Sequence, residues 1–277
     1  MITVEQLPLT PGVRVLSFNK DGLVALDKPA GVRSHPNTED QRKPSILEAA
    51  YDYDGEVFSW QDAAGHECQA WLINRLDSPT SGILLLGLNP EIAAVIKQQF
   101  AEHKVDKVYY GIVRHKPKLI GGTWVDRLRK PSSHSRPSKR PVQEVPAMTR
   151  YKWMKSPSVG LPISLIKLMP MTGRTHQLRI QCHKHGHPIV GDRTYGDFSF
   201  NREVSKQTHI KRMFLHAGST SVRYAFEGKS RSFEANSPLP EDFETVLDFR
   251  PGVSRGIEAN RLENKPNSRL SGRRFRH

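Results

Sequence analysis

The sequence predicts an α+β fold, because it contains several strand-like segments separated by turns and only two segments with helical periodicity. The chain has 277 residues, of which 36% are hydrophobic, so it can form one large domain or two small ones. Strands are predicted at residues 13–18, 23–26, 83–86, 107–113 and 163–171, and helices at residues 89–103 and 175–185.

The composition favours a polyanionic partner, since the net charge is +14 and the pI is near 9.9. A basic protein without such a partner is the alternative. The cysteines, Cys68 and Cys182, lie far apart, and without a signal peptide they favour a reducing cytoplasm. No apolar run approaches the roughly 20 residues of a membrane span. Neither a CxxC nor an HExxH motif occurs, so no metal site is predicted.

The first two strands are joined by a turn at Lys20-Asp21-Gly22. The second of them runs from Leu23 to Leu26 and ends in the stretch Asp27-Lys28-Pro29-Ala30-Gly31. Taken by itself, Lys28 is expected to be a solvated lysine in a turn.

The segment at residues 74–86 reads NRLDSPTSGILLL and places an acidic residue beside a buried strand. The apolar run at residues 83–86, between Gly82 and Gly87, is typical of a strand buried on both faces. Asp77 lies in the short loop before that strand, where reactive groups are often held. The alternative is that Asp77 only caps a turn, because Asp favours turns.

The helix predicted at residues 89–103 has a clear N-terminus, because Asn89 is a good N-cap and Pro90 suits the first helical position. The strand at residues 107–113 follows, and its alternation places Tyr109 and Tyr110 on opposite faces. A tyrosine in such a strand could simply fill the pleated surface. The buried face of the helix is expected to carry Ile92, Val95 or Ile96, and Phe100.

The second predicted helix follows the strand at residues 163–171. Thr175 is expected to cap it, and it should run to about His185 and stop at Gly186. One of its faces carries basic and imidazole side chains, which by themselves could form a solvated surface, and another face suits the core. The basic and imidazole side chains are those of His176, Arg179 and His183, and the side chains that suit the core are those of Leu178 and Cys182.

Two segments are strongly basic. Residues 126–140 contain six Lys or Arg residues and one Asp, and their prolines and serines argue against regular structure. They are expected to form a basic loop that contacts phosphates, or else a solvated linker. Residues 250–277 contain eight Lys or Arg residues and two Glu residues, with no apolar period, which predicts a disordered basic tail.

The motifs together resemble those of the RluA-type pseudouridine synthases, over roughly residues 12–235. Residues 74–86 resemble the family motif HRLDxxTSGLLL, with Asn74 where the family usually has His. Residues 173–192 resemble the motif GRTHQIRVHxxxxGHPIxGD. Three shorter stretches, KPAG at residues 28–31, KVYYGIV at residues 107–113 and MFLHA at residues 213–217, resemble KPxG, KxYxAxV and LxLHA.

The resemblance implies the roles of the site residues. Asp77 would be the catalytic nucleophile, Tyr109 would pack against the target base, and Arg179 would pair with Asp77 and favour its charged form. Arg75 would fill the space that the target uridine leaves, since a guanidinium stacks on bases. His216 would act structurally. The other expected RNA contacts are Asn74, Arg174, His176, Gln177 and Leu215, with Arg136, Lys139 and Arg140 of the basic loop.

The resemblance also implies the fold and the partner. The expected fold is a mixed, largely antiparallel sheet in two halves around a central cleft. Residues 1–250 would form one catalytic domain with a basic insertion at about residues 126–140, followed by the basic tail at residues 251–277. No RNA-binding domain of the S4 type, no cofactor and no membrane association are expected, and the protein should be a monomer.

The RNA partner is expected to be a tRNA, with ribosomal RNA as the alternative. Details such as Pro79 and Asn201-Arg202 resemble the tRNA pseudouridine synthase C subgroup of the family. Two other classes of function compete with isomerisation. A non-catalytic RNA-binding protein would not need Asp77, Tyr109 and Arg179 together, and a two-metal nuclease would need a carboxylate cluster that the sequence lacks.

Overall fold

A twelve-stranded sheet organises residues 3–37, 44–129 and 144–252, which are the residues that the computed structural model describes. Its strands are β1 (Arg14–Phe18), β2 (Leu23–Lys28), β3 (Ala50–Asp52), β4 (Val57–Gln61), β5 (Glu67–Leu72), β6 (Ser81–Gly87), β7 (Val105–Arg114), β8 (Gly121–Arg129), β9 (Glu144–Lys155), β10 (Ile163–Pro170), β11 (Leu215–Phe226) and β12 (Lys229–Asn236). The helices of these residues are α1 (Pro90–Ala101), α2 (Gln177–Lys184), α3 (Phe198–Thr208) and α4 (Glu241–Leu247), with a short 3-10 helix at Val4–Gln6.

The sheet has two halves that meet where β6 pairs with β11. The strand order is β3-β4-β5-β6-β11-β7-β10-β9-β8, with β2 and β1 added beside β6 and β12 beside β11. The β6–β11 pair is parallel and short, joining His216 to Ser81 and Ala217 to Gly82. The other strand pairs in the described residues are antiparallel. The expected α+β fold with a mixed, largely antiparallel sheet in two halves is confirmed.

Strand β6 is buried on both faces, as its sequence predicts, and every one of its residues is buried. Its side chains alternate between two cores. Ile83 and Leu85 pack with the apolar face of α1, whereas Leu84 and Leu86 pack on the opposite side with Phe58. Burying each of these aliphatic side chains stabilises the fold by about 1.5–3 kcal/mol. The start of β6, and the loop that precedes it, therefore has a rigid foundation.

The second half of the sheet also separates two cores. One lies under α3 and α4, and contains Phe214 and Phe243. The other lies under α2, and contains Leu178 and Leu215. Tyr110 packs against the first core, and its neighbour Tyr109 packs against the second. The alternation predicted for β7 is therefore present.

Both predicted helices exist, but the second begins later than expected. Asn89 caps α1 by accepting a hydrogen bond of 2.8 Å from the amide of Ile92. Thr175 does not cap α2. The N-cap is His176, whose left-handed backbone (φ 54°) turns the chain just before the helix. The amide of Arg174 donates to the side chain of Gln177 at 3.0 Å, so a local turn at residues 174–177 leads into the helix in place of a threonine cap.

The basic loop predicted at residues 126–140 begins too early. Residues 126–129 belong to β8, which pairs with β9 as far as Arg129 and Glu144. Trp124 and Leu128 point inward with a period of two, and this local pattern favours a strand over the loop that the basic residues suggested. Residues 130–143, with Arg136, Lys139 and Arg140, lie outside the described residues, as does the tail from residue 253.

Several elements were not predicted from the sequence, namely β3, β4, β5, β8, β9, β11, β12, α3 and α4. Across residues 3–37, 44–129 and 144–252, no helix is both long and apolar enough to cross a membrane.

Candidate active site

The loop that carries Asp77 is clamped by the chain that leaves β2. The amide of Thr80 donates to the carbonyl of Asp77 at 2.9 Å, which closes the turn. Ser34 Oγ donates to the carbonyl of Leu76 at 2.8 Å and accepts from its amide at 2.9 Å. The amide of Gly31 donates to the carbonyl of Ser78 at 2.8 Å. The backbone on both sides of Asp77 is thus fixed, while its carboxylate is free to face the cleft.

Lys28 completes this clamp from inside the protein. Its side chain is completely buried, and its Nζ donates to the carbonyls of Pro29, Val32 and Ser78 at 3.1, 2.7 and 3.1 Å. The expectation that Lys28 is a solvated turn lysine is wrong, because the chain folds over it. Burial lowers the pKa of Lys28 to about 7, against the opposing effect of the nearby Asp77 carboxylate. The KPAG stretch therefore supports the Asp77 loop.

Arg179 holds the carboxylate of Asp77 and is itself held by Asp192. Its Nη1 donates to Asp77 Oδ2 at 2.9 Å, so the expected ion pair is present. Its Nε and Nη2 donate to the two carboxylate oxygens of Asp192 at 2.7 and 2.8 Å. Burial by itself would lower the pKa of Arg179, but the hydrogen bonds to Asp192 and Asp77 outweigh it and raise the pKa above its ordinary value. The guanidinium is charged and fixed in orientation.

Asp192 is a buried carboxylate with a full set of partners. Its side chain is inaccessible, and besides Arg179 it accepts from the amides of Thr194 and Tyr195 at 2.8 and 3.0 Å. Burial alone would raise the pKa of Asp192, but the hydrogen bonds from Arg179 and from the two amides hold it below its ordinary value. Asp192 therefore stays ionised and aims Arg179 at Asp77.

His176 lies on the other side of the Asp77 carboxylate. Its Nε2 is 3.7 Å from Asp77 Oδ1, and its Nδ1 is 3.1 Å from the hydroxyl of Tyr195. The ring of Tyr195 also lies against Arg179, with the guanidinium carbon 5.2 Å from the ring centroid. The turn-capping alternative for Asp77 is thereby answered: the loop does turn there, but the carboxylate of Asp77 faces Arg179 and His176.

A cavity of about 730 Å³ opens in front of Asp77 and is lined by both halves of the sheet. Tyr109 and Leu215 form part of its wall, and Arg75 and Arg174 also line it. The pKa of Tyr109 is raised to about 12, first by burial and then by the charge of Asp77, so its hydroxyl keeps its proton near neutral pH. The cavity thus presents a carboxylate, an aromatic ring and cations to whatever enters it.

The residues predicted to bind RNA differ in whether they are accessible at the cavity. Arg75 is exposed and Arg174 is partly exposed at the cavity, where both could reach RNA. Asn74 is partly exposed, but its Oδ1 accepts the amide of Leu85 at 2.8 Å and so fixes the start of the loop to β6. Two of the other residues predicted to bind RNA, His176 and Leu215, line the cavity. Three more, Arg136, Lys139 and Arg140 of the basic loop, lie outside the described residues.

Gln177 was predicted to contact RNA, and the structure gives it an internal role instead. Only 4% of its surface is exposed. Its amide nitrogen donates to Met148 O and Thr149 Oγ1 at 3.1 and 3.0 Å, and its oxygen accepts from Thr172 Oγ1 and the amide of Arg174 at 2.7 and 3.0 Å. Both polar atoms are saturated, so Gln177 holds α2 to β9.

Three site features were missed from the sequence: Asp192, Tyr195 and the internal role of Lys28. Asp192 was visible as the acidic end of the stretch GHPIVGD, within the motif that also supplies Arg179. Tyr195 carried no local signal. Within the described parts of the chain, no group of three or more His, Cys, Asp or Glu residues could hold a metal ion.

Comparison with known proteins agrees with this site. The family model described as RNA pseudouridylate synthase matches residues 22–184. A tRNA pseudouridine synthase C of Yersinia pestis is 30% identical over 80% of this chain and 86% of that protein, and one of Salmonella typhi is 31% identical over 81% and 85%. A third, of Pectobacterium carotovorum subsp. carotovorum, is 30% identical over 80% of this chain but only 59% of its own length.

Solved structures show the same fold. The human RNA pseudouridylate synthase domain containing 4 aligns with a TM-score of 0.58 at 21% identity, over 84% of this chain and 91% of that one. The human RNA pseudouridylate synthase domain containing 1 aligns with a TM-score of 0.57 at 22% identity, over 86% and 96%. The chain therefore belongs to the RNA pseudouridylate synthase family, and it is an isomerase that converts uridine in RNA to pseudouridine.

Proposed function

We propose that this enzyme isomerises a uridine of tRNA, with Asp77 as the nucleophile, Arg179 as its counter-ion and Tyr109 as the residue that receives the base. The observation that carries the proposal is the Asp77 carboxylate. It is held by Arg179 at 2.9 Å, and its side chain is still 28% exposed, at the mouth of a cavity walled by Tyr109. A charged carboxylate beside an aromatic wall suits a ribose and its base.

The reaction requires that the target uridine leave its stack and enter this cavity, at a cost of a few kcal/mol. The bond between ribose C1′ and uracil N1 breaks, the uracil turns, and C1′ joins C5. The proton on C5 is released, and N1 gains one. Asp77 would act on the ribose, with its carboxylate held in position by Arg179, which cannot lose its own charge.

Tyr109 suits a protonated role beside the base. Because burial raises the pKa of Tyr109 to about 12, its hydroxyl can donate a hydrogen bond near neutral pH, and its ring can stack on uracil. Arg75 is exposed and lines the cavity, which supports the proposal that it fills the space that the uridine vacates. These roles predict loss of turnover for a Tyr109 change and weaker RNA binding for an Arg75 change.

Changing Asp77 to Asn tests the central role, because it keeps the shape and removes the charge. Pseudouridine formation should fall below detection in a folded protein, and RNA affinity should hold or rise slightly, since a negative charge facing a polyanion is gone. Asp52→Asn is a matched control, because the Asp52 carboxylate accepts from the amides of Asp54 and Gly55 and really does cap a turn. That control should lose some stability and keep its activity.

Activity and thermal stability are measured on the same samples of both variants. A folded Asp77→Asn protein that forms pseudouridine near the parent rate would refute the mechanism. Release of tritium from RNA labelled at uridine C5, without added metal, separates isomerisation from the competing classes. Simple RNA binding and phosphodiester cleavage both leave that label in place.

The choice of tRNA is supported by the names of the relatives in Yersinia pestis and Salmonella typhi. Incubating the enzyme separately with unmodified tRNA and with ribosomal RNA fragments, and then mapping pseudouridine, tests it. Modification confined to ribosomal RNA would overturn the substrate and leave the reaction standing. We further propose that the protein is a monomer, since one chain supplies both walls of the cavity, and light scattering in solution tests this. We also propose that it acts in the cytoplasm.

A further inference from the structure

A second and larger concave surface lies behind the Asp77 loop. It has a volume of about 1270 Å³, and its walls are α3 and the segments at residues 190–194 and 209–214. We name it the α3 groove. The family motifs that identify the active site do not include α3, and no described residue that was predicted to bind RNA lines the groove. Its function is therefore open.

One face of α3 is built for a nucleic-acid strand. Phe198, Arg202 and Lys206 follow at intervals of four residues, so they share a face of the helix, and all three line the groove. Phe198 is 54% exposed, which is unusual for a large aromatic side chain. Cations interleaved with an exposed aromatic ring are the combination that binds single strands, by phosphate contact and base stacking.

Four of the six Lys and Arg residues that line the groove are available for a ligand, whereas Arg179 pairs with Asp77 and Asp192 and Arg212 pairs with Asp242. Within residues 3–37, 44–129 and 144–252, Arg193, Arg202, Lys206 and Lys211 make no ion pair with an acidic residue. Lysines elsewhere on the protein do, such as Lys97 with Glu56 and Lys155 with Glu244. The described residues that line the groove include neither Asp nor Glu. The groove therefore carries an unbalanced positive charge.

The groove is adjacent to the active site. Ser78 and Arg179 line both the α3 groove and the cavity in front of Asp77, and Pro79 also lines the groove. The clamped loop, through Ser78, borders both of them. A strand whose uridine enters the cavity would therefore have its neighbouring nucleotides at the edge of the groove. The basic tail of the chain is no alternative occupant, because its charge has the same sign as the groove.

We propose that the α3 groove binds the RNA strand that flanks the target uridine, through its phosphates and through stacking of one base on Phe198. This inference rests on the proposed function, and it assigns the groove to the same RNA molecule. Contacts of this kind position the substrate without reading its sequence. They should contribute to affinity and not to the chemical step, since the groove lies behind the loop that carries Asp77.

The test is the double variant Arg202→Ala/Lys206→Ala, with RNA binding measured over a range of salt concentrations. Removing one cation that neutralises a phosphate should flatten the plot of log K against log salt by about 1, so the double variant should flatten it by about 2. The dissociation constant at low salt should rise at least tenfold. The rate at saturating RNA should match the parent, because the Asp77 site is intact.

The control is Arg223→Ala/Lys229→Ala, which removes the same charge from the β11–β12 hairpin. Arg223 lies eight residues beyond Leu215 along β11, roughly 26 Å of strand away, and neither residue lines the groove or the cavity. This variant should keep the parent salt slope. A groove variant with the parent slope, or a control whose slope falls equally, would overturn the proposal.

A short RNA separates local from flanking contacts. An oligonucleotide with the target uridine and only its immediate neighbours should bind the parent and the groove variant equally, whereas full-length RNA should distinguish them. The proposal would be overturned if the groove variant bound the short RNA and the full-length RNA more weakly than the parent by the same factor. Phe198→Ala should weaken binding of the full-length RNA and leave the salt slope unchanged, because stacking releases no counterions. A parent enzyme that forms no pseudouridine would count against the proposed function instead, and the binding slopes are measured independently of it.

Discussion

Arg179 joins two carboxylates that have different surroundings. Asp192 is fully buried and accepts hydrogen bonds from two nitrogens of Arg179. Asp77 faces the cavity and accepts a hydrogen bond from the third nitrogen. This arrangement needs the planar fork of arginine, since a lysine ammonium cannot present donors in three fixed directions from one rigid plane. The buried pair thereby determines where the exposed carboxylate sits.

Replacing Arg179 by Ala should strongly reduce turnover, because Asp77 loses its counter-ion and becomes free to reorient. Arg179→Lys retains the charge but not the fork, so we expect it to restore little of the rate. Because the turnover of Asp77→Asn is expected to be below detection, the pair is tested on the Arg179 variants alone. Single-turnover rates and thermal stability of the parent, Arg179→Ala and Arg179→Lys decide this. A folded Arg179→Ala protein with a rate near that of the parent would show that Asp77 does not need its counter-ion.

Asp192→Asn should destabilise the protein by about 3–5 kcal/mol, because it leaves a buried guanidinium partly uncompensated. The pKa of Asp192 is lower in the fold than in the unfolded chain. Its carboxylate therefore stabilises the fold above the unfolded pKa of about 3.9, and that stabilisation is lost as the pH falls through the lower folded value. Urea unfolding between pH 3 and pH 7 should show a steeper acid loss for the parent than for the variant. If the unfolding free energy depended on pH equally in the parent and in the variant, this role of Asp192 would be contradicted.

At the scale of elements, the Asp77 loop depends on how closely β6 approaches β11. Gly82 has φ +106°, and a Cβ at this position would collide with the backbone of Ala217 on β11. The parallel pair of β6 and β11 is the short seam between the two halves of the sheet. A side chain at Gly82 would therefore force the halves apart just beside the catalytic loop.

Gly82→Ala should destabilise the fold by more than about 1 kcal/mol and also reduce turnover in the folded fraction. Gly228→Ala is the matched control, because Gly228 has φ +70° and open space around its would-be Cβ. It carries the backbone strain without the collision, and it lies in the β11–β12 turn. The difference between the two unfolding free energies measures the close approach. Equal costs with unchanged activity for both would show that the seam tolerates a methyl group.

At the scale of the whole molecule, positive charge is the dominant feature, and the chain carries it in separate places. The net charge is +14, and residues 250–277 account for +6 of it. The folded part remains basic without that segment. Affinity for RNA is therefore expected to come from several surfaces, whose contributions differ in their effect on salt dependence.

Deleting residues 251–277 should weaken RNA binding and leave the rate at saturating RNA nearly unchanged, since the segment lies outside every motif. For every phosphate that the tail neutralises, its removal should flatten the salt dependence by about 0.7–0.9 log units per log unit of salt. If the tail and the α3 groove bind different phosphates, combining the deletion with the Arg202→Ala/Lys206→Ala change should reduce the salt slope by the sum of the two separate reductions. An unchanged slope in the truncated protein would show that the tail does not touch RNA.

The sequence by itself determined those elements whose signals are local. Alternation and burial at residues 83–86 predict β6, and Asn89-Pro90 predicts the start of α1, since both depend on neighbours along the chain. The motif around Asp77 indicated the family and the pairing of Asp77 with Arg179. Charge predicted a polyanionic partner, and turns between strands predicted the α+β class.

Only the tertiary structure decided which polar groups lie inside. Lys28, Gln177 and Asp192 all resemble surface residues in the sequence, yet each is buried with a full set of hydrogen bonds. Their partners come from distant parts of the chain, as Asp77 and Arg179 do at 102 residues apart. The same holds for the α3 groove, where α3 and its flanking segments meet Ser78 and Pro79 of the Asp77 loop. A polar group can be buried only where the fold supplies its partners, and no local pattern records where those partners will be.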